Sequence, residues 1–311
     1  MIREKIRENC YLAIIYDKAR YSIRKYQIQR DIVGLVKKLY KQKTGNDLDL
    51  TNPLTYNEKL QWIKLYWYDS LAALCADKLA VREYVKEKGL GYILNDLIAV
   101  YDKVDEIDIK SLPEKFVLKA NHGSGWNIIC ADKSKINWKK TKNLLQRWMH
   151  ANYYYETCEW VYKDIKPKII CEKFLEDDSI GGLKDYKIFY FDGEPKLIQV
   201  DLDRNTIHKR NIYDLTWNYI PVSIKYPTAP EIKVPKPANL DEMLLCAKVL
   251  SNGFPHVRVD FYSVNGKTFF GELTFIHGAG YEKITPESYN LLMGSWFKLP
   301  LINSCKGNAE N

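Results

Sequence analysis

The sequence predicts a mixed α+β fold, helical at its start and built from strand hairpins afterwards. Three observations carry that prediction. Across residues 2–42, Tyr11, Ile14, Ile15, Tyr21, Ile23, Ile32, Leu35, Val36 and Leu39 recur at helical spacing among basic residues. From residue 116 onward the texture changes to short apolar runs broken by turns. Asp192-Gly193 and Asn265-Gly266 each lie between two such runs, as tight hairpin turns do.

Each element has its own warrant. The periodicity over 2–42 predicts one or two amphipathic helices, and Asp47 to Pro53 is a polar break. Thr55-x-x-Glu58 is a capping box ahead of Leu60, Trp62, Ile63 and Leu65, so a helix starts there. A further helix should run from about Leu71 to Lys88 and stop at Gly89. Segment 90–104 is apolar and strand-like. Phe116-Val117-Leu118-Lys119 is a short strand, Asn121-His122-Gly123-Ser124-Gly125 a turn, and Trp126 to Ala131 a second strand. Residues 134–152 read as a helix and Ile169 to Leu175 as a buried strand. Strands at 186–191 and 196–202 flank Asp192-Gly193, a helix covers Leu240 to Ser251, and strands His256 to Tyr262 and Thr268 to Phe275 flank Asn265-Gly266. The proline-rich stretch 221–237 is a loop rather than a linker.

Composition narrows the class. Apolar residues make up 46% and charged residues 28% of the 311, which excludes global disorder. No apolar run approaches the ~18–20 residues of a membrane-spanning helix. No N-terminal apolar core precedes a small-residue cleavage site, so a secreted protein is not expected. Seven cysteines, none in a C-x-x-C pair, fit a reducing cytoplasm, with Cys130 and Cys171 as buried thiols. Residues 1–43 hold twelve Lys/Arg against four acids, which accounts for the whole net charge of +8. The body is neutral overall, so nucleic acid is not the expected partner. The basic arm is either a solvated helical face or a contact for an anionic membrane surface or acidic polymer.

Three groups of residues carry chemistry. The first is Arg258-x-Asp260 with Glu272-x-Thr274. Within each strand the two polar residues share a face. A strict two-residue Asn265-Gly266 loop would put Asp260 and Glu272 on opposite faces; a three-residue loop with a glycine bulge would bring all four together, and the bulged form is expected. Two carboxylates and a hydroxyl on one face suit Mg²⁺, which takes few protein oxygens and completes its shell with phosphates. Arg258 beside them can stabilise charge on a transferring phosphoryl group. The plain alternative is a surface hairpin with an ion pair. The second group is Lys119 before the glycine turn 121–125, where backbone N–H groups can form an anion nest; a glycine turn can equally be only a hairpin. The third is Glu172-Lys173-Phe174-Leu175, a strand end that can offer backbone groups to an adenine edge, followed by Glu176-Asp177-Asp178, an acidic loop that can meet ribose hydroxyls. Asp185-Tyr186-Lys187 opens the next strand, with Arg204 across its hairpin, and Asp77-Lys78 and Arg82 share a helix whose plain reading is a solvated face. The five histidines show no nucleophile partner; His277 can border a substrate site.

The order of these pieces resembles the ATP-grasp superfamily. Leu54–Pro300 is similar to its TupA-like, teichuronopeptide-type branch. The phrases that carry this are Leu54-Thr55-Tyr56-Asn57-Glu58-Lys59-Leu60, Ala76-Asp77-Lys78-x-Ala80-Val81-Arg82-Glu83-Tyr84-Val85, Asp185-Tyr186-Lys187 and Gly271-Glu272-Leu273-Thr274-Phe275. The resemblance implies an ATP-grasp fold, two α+β lobes closing over ATP, with a helical N-terminal region. It divides the chain into a basic arm (1–45), a mostly helical lobe (46–104), a small ATP-grasp lobe with a glycine flap (105–175), a large lobe with a Mg²⁺ site (176–300) and a tail (301–311). It implies that Lys78 and Lys119 hold ATP phosphates under a flap of Gly123, Ser124 and Gly125. Glu172 and Leu175 would meet adenine and Asp177 or Asp178 the ribose, with Lys173, Phe174, Lys187 and Arg204 also at the nucleotide. Asp260, Glu272 and Thr274 would hold Mg²⁺, and Arg258 and Lys119 would act on the reacting phosphoryl. Thr274 stands where many members carry Asn, and the first lobe is more helical than in the well-known ligases.

The reaction implied is ligation through an acyl phosphate in cell-surface polysaccharide biosynthesis, joining an amino acid to a sugar carboxylate. The substrate is then a small molecule or polysaccharide precursor. The expected location is the cytoplasm, with residues 1–43 able to touch the inner face of the membrane. Three rivals stay open: a glycosyltransferase, for which Asp201-Leu202-Asp203 is a D-x-D pattern, a kinase on the same fold, and a non-enzymatic assembly scaffold.

Overall fold

The computed structural model describes residues 10–177, 182–202 and 208–301. Asp178, Asp203 and Arg204 therefore lie outside the described residues, as do residues 1–9 of the arm and nearly all of the tail. Eight described helices occur: α1 (Cys10–Thr44), α2 (Tyr56–Tyr66), α3 (Ser70–Ala76), α4 (Val81–Glu87), α5 (Trp138–His150), α6 (Tyr154–Thr157), α7 (Leu240–Ser251) and α8 (Glu287–Ser295). The strands are β1 (Leu97–Tyr101), β2 (Phe116–Ala120), β3 (Asn127–Cys130), β4 (Ile169–Lys173), β5 (Lys184–Phe191), β6 (Glu194–Leu202), β7 (Lys209–Tyr213), β8 (Tyr219–Ile220), β9 (Ser223–Ile224), β10 (His256–Val264), β11 (Lys267–Thr274) and β12 (Ile284–Thr285). None of the described helices is long and apolar enough to cross a membrane.

The chain forms two compact units. The first holds the described residues up to Ile32, then Ala73–Arg82 and Asn95–Phe174; the second holds Val33–Ala72, Glu83–Leu94 and the described residues from Leu175 on. The division within α1 falls beside Asp31, whose extended backbone (φ −164°, ψ 86°) interrupts the helix.

The first unit is a four-stranded antiparallel sheet in the order β1-β4-β2-β3. Side chains alternate across it. Phe116, Leu118 and Ala120 of β2 join Ile169 and Cys171 of β4 on the inner face, where Leu145 and Trp148 of α5 close the core. Phe116, Leu118, Leu145 and Ile169, fully buried, each stabilise the unit by about 1.5–3 kcal/mol. Asn137 starts α5 by accepting from the Lys140 N–H at 3.0 Å. The opposite face carries Lys119 and Glu172.

The second unit is a six-stranded sheet in the order β11-β10-β5-β6-β7-β8. On one face Ile188, Ile198, Val200, Val257, Val259 and Phe261 are all fully buried. α7 covers this face with Met243, Ala247 and Leu250, and Tyr190 Oη donates to the Leu244 carbonyl at 2.9 Å. The other face carries the polar side chains of the motifs. α2 packs in this unit and begins as its capping box predicts. The Glu58 N–H donates to Thr55 Oγ1 at 3.2 Å, and the Thr55 N–H to Glu58 Oε2 at 2.9 Å.

Two local expectations need correction. The single helix from Leu71 to Lys88 is two short ones, α3 and α4, because Asp77 breaks it. Asp77 Oδ1 accepts from the Leu79 N–H at 2.8 Å and the Ala80 N–H at 3.3 Å, a side-chain cap that competes with continued helix. The loop of the β10–β11 hairpin is the strict two-residue turn: Val264 pairs with Lys267 across Asn265 (φ 50°) and Gly266 (φ 78°). The bulge sits five residues further along. Phe261 pairs with Phe270 but Asp260 with Glu272, so Gly271 is the extra residue. A Cβ at Gly271 would lie 3.0 Å from the Asp260 carbonyl oxygen.

Candidate functional site

The first unit gathers two cations on one carboxylate. Lys119 leaves β2 and Glu172 leaves β4 on the same sheet face, and the Lys119 ammonium meets Glu172 Oε2 at 2.6 Å. Arg82 reaches Glu172 Oε1 at 3.4 Å and donates to the Asn95 carbonyl at 2.7 Å. Lys78 is tied in by a ladder of hydrogen bonds. Asn121 Nδ2 donates to Asp77 Oδ1 at 2.9 Å, the Lys78 N–H donates to the Asn121 carbonyl at 3.1 Å, and Lys78 Nζ donates to the Gly123 carbonyl at 2.5 Å. The glycine turn is thus braced from below. His122 is buried and lies within hydrogen-bond distance of the Trp148 carbonyl (2.9 Å), and desolvation holds its imidazole below its ordinary pKa. Trp126 stacks on Trp148 at 6.2 Å, and a Cβ at Gly123 would meet its ring at 2.7 Å. Gly123 belongs to this buried root; Ser124 and Gly125 form the exposed tip.

The second unit carries a polar belt across five strands. Asp185 and Lys187 of β5, Gln199 and Asp201 of β6, Arg210 of β7, Arg258 and Asp260 of β10, and Glu272 and Thr274 of β11 share one sheet face. Arg258 clamps Asp260 with two hydrogen bonds of 2.7 Å, and its terminal nitrogen lies 3.2 Å from Thr274 Oγ1 and 3.6 Å from Glu272 Oε1. Lys187 donates to Asp185 at 2.5 Å and to Asp260 at 2.8 Å, with Asp201 at 3.9 Å. Desolvation would lower the Lys187 pKa, but these carboxylates win and hold it above the ordinary lysine value. Arg210 bonds Asp201 at 2.7 Å and Glu282 at 3.3 Å. Burial would raise the Glu282 carboxyl; His277 at 3.1 Å, Arg210 and Lys225 outweigh it and hold it well below the usual carboxylate range. Beyond Arg258 the same face turns aromatic: Phe191 and Tyr56 surround His256, which desolvation pushes down to about 3.

The oxygen donors of β10 and β11 fit a hard divalent cation. Asp260 and Glu272 are direct cross-strand partners, and Thr274 Oγ1 donates to Glu272 Oε1 at 3.2 Å. Glu272 is the more open carboxylate, with 30% of its side chain exposed against 4% for Asp260. Gln199 Oε1, fully buried in the same belt, has no hydrogen-bond partner among the described residues, so acceptor capacity is left over there. No three His, Cys, Asp or Glu side chains gather in metal-binding geometry among the described residues. Two carboxylates are nonetheless what Mg²⁺ takes when phosphate oxygens complete its shell.

Several motif residues stand in roles the sequence did not assign. Glu172 is the counter-ion of Lys119 and Arg82. Lys173 and Phe174 line an open groove of about 620 Å³ with Asp96, Ile98, Ser111, Pro113 and Lys115, away from Lys119. Leu175 is half-buried outside any strand. Asp177 Oδ1 accepts from the Asn265 N–H at 2.9 Å and so anchors the hairpin tip. Lys187 is buried among carboxylates rather than exposed on its strand. Arg82 is drawn out of the solvated face that helical spacing suggested. Gln199, Arg210 and Glu282 were not singled out. Gln199 and Asp201 alternate with apolar residues along β6, which is the signal that could have found them.

Curated protein sequences gave no match. Among solved structures, the D-alanine–D-alanine ligase of Bacillus anthracis complexed with ATP is 16% identical over 65% of this chain, with a TM-score of 0.38. The chain spans 55% of that ligase. The D-alanine–D-alanine ligase of Helicobacter pylori (16% identity, 78% of this chain, 69% of that one, TM-score 0.40) and the N5-carboxyaminoimidazole synthetase of Staphylococcus aureus complexed with ADP (16%, 73%, 53%, 0.42) are similar at the same level. A family model described as TupA-like ATPgrasp matches residues 58–298, a span that contains Lys78, Lys119, Glu172, Lys187, Arg258, Asp260, Glu272 and Thr274. The chain belongs to the TupA-like ATP-grasp family, and its α+β architecture is an ATP-grasp fold.

Proposed function

We propose that the protein is an ADP-forming carboxylate–amine ligase acting on a cell-surface polysaccharide precursor, joining an amino acid to a sugar carboxylate. The observation that carries this reading is the pairing of Asp260 with Glu272 beside Arg258 on one sheet face, in a chain that belongs to an ATP-grasp family. A carboxylate oxygen of the substrate attacks the γ-phosphorus of ATP, and ADP leaves. The amine nitrogen then attacks the acyl carbon, phosphate leaves, and the nitrogen gives up a proton. Arg258 and Lys119 would stabilise charge that grows on the transferring phosphoryl group. Lys78, which already holds the Gly123 carbonyl, would fix the glycine turn over the phosphates. Asp260 and Glu272 would hold Mg²⁺, which neutralises phosphate charge when bound. Arg258 bonds both Asp260 oxygens and Lys187 adds a second bond to Oδ2, so the cation would take the remaining acceptor site on Oδ1. Positioning supplies the remainder, since the reaction needs no protein nucleophile.

A glycosyltransferase reading loses its main support. Asp201, the described acid of the D-x-D pattern, is buried and committed to Arg210. The test is a product assay with magnesium, ATP and a panel of uronic acids and amino acids, read by mass spectrometry. ADP together with an amide is the expected result. ADP with a phosphoester would make the protein a kinase, sugar transfer without ATP a glycosyltransferase, and no turnover with any donor a scaffold.

A further inference from the structure

We propose that the outward face of α1 is a docking surface for an anionic lipid membrane. The proposal is independent of the ligase reading. The helix has two different sides. Its inner side is fixed to the first unit: Ala13 and Tyr21 are buried, Tyr21 Oη donates to Glu156 at 2.7 Å, and Arg147 bonds Asp17 at 2.9 Å. Its outer side is apolar and exposed. Ile15 (48%), Tyr16 (47%), Ile23 (62%) and Tyr26 (63%) recur at three- and four-residue spacing, with exposed Ala19 between them. They form one stripe along about 17 Å of helix. An exposed apolar stripe of this kind marks an interaction site.

Charge selects the occupant. Lys18 and Lys25 border the stripe on one side and Arg30 extends it, while Arg20 on the other side is paired with Glu156 at 2.9 Å. The only acid between Cys10 and Arg30 is Asp17, on the inner side and paired with Arg147. A second copy of the helix would set bases against bases, so self-association on this stripe is opposed. An anionic bilayer offers the complementary charge, takes aliphatic side chains into the headgroup boundary, and accepts tyrosine at that depth. Lysine stems can lie along the apolar zone while their ammonium groups reach phosphates.

The experiment is co-sedimentation of the full chain with vesicles of phosphatidylcholine alone or with about one-third phosphatidylglycerol. Binding to the anionic vesicles that weakens with salt is expected. The double variant Ile23→Glu/Tyr26→Glu should bind at least roughly tenfold less, with an unchanged melting temperature because both side chains are exposed. Lys18→Glu/Lys25→Glu, which leaves the stripe intact, should also weaken binding. Equal binding by either variant, equal binding to neutral vesicles, or no binding at all overturns the proposal. So does a dimer in sedimentation velocity that Ile23→Glu/Tyr26→Glu dissolves, which would make a second copy the occupant.

Discussion

The two polar clusters solve opposite electrostatic problems. In the first unit, Lys119 and Arg82 share the single carboxylate Glu172, so positive charge is in excess and a phosphate can be accepted. In the second, the five carboxylates Asp185, Asp201, Asp260, Glu272 and Glu282 face the four cations Lys187, Arg210, Lys225 and Arg258, so negative charge is in excess and a cation can be accepted. The degree of burial differs too. Lys119 keeps 19% of its side chain exposed, whereas Lys187 keeps 7% and Asp260 only 4%. Charges that deep are tolerable only as a closed network, since each alone costs several kcal/mol to desolvate. The comparison separates residues that hold the belt together from residues positioned to meet a ligand.

That separation can be broken most sharply at Asp260 and Glu272. Glu272→Gln should lower turnover by about a thousandfold or more while leaving stability within about 1 kcal/mol, because its carboxylate is partly exposed. Asp260→Asn strips the charge from the partner of both Arg258 and Lys187. It should cost about 3–5 kcal/mol in denaturant unfolding, besides abolishing activity. Equal stability losses in the two variants would erase the distinction. Lys119→Met tests the first unit: the KM for ATP should rise roughly ten- to a hundredfold with little change in melting temperature, and an unchanged KM would remove Lys119 from the phosphate site.

Acid should act on the aromatic end of the belt. Unfolded, His256 titrates near 6.5; folded, it stays neutral until about 3. Across that interval the unfolded chain takes the proton and the folded one does not. Stability that is full above pH 6.5 is therefore lost on acidification, by roughly 2–3 kcal/mol at pH 4.5. His277, also lowered by desolvation, acts in the same direction, so His256→Gln should reduce the slope of a stability–pH profile without flattening it. The smallest expected effect is Gly271→Ala. Its Cβ would press on the Asp260 backbone, at a cost of about 1–3 kcal/mol, read as a shift in unfolding midpoint.

The sequence was legible where a local pattern has a single solution. The Thr55–Glu58 box marks the start of α2, and Arg258, Asp260, Glu272 and Thr274 do share a face. It was less legible where distant segments decide. Asp77 breaks a helix through its own side-chain oxygen, and then also takes a hydrogen bond from Asn121, which no spacing rule anticipates. The partners of Lys187 come from β6 and β10 as well as its own strand, and its burial follows from strand order rather than from the Asp185-x-Lys187 pattern. Expecting the extra residue in the hairpin turn was wrong in position though right in its consequence, because Gly271 resets the pairing instead.

That reset has a practical corollary. On β11, Thr268 and Phe270 are buried before Gly271, and Leu273 after it, so the glycine switches which parity of residue faces inward. The facing of Glu272 toward Asp260 is thereby set at Gly271 rather than at the Asn265-Gly266 turn. Adding a single residue between Gly271 and Glu272 would turn that carboxylate to the wrong side, however conservative the added side chain.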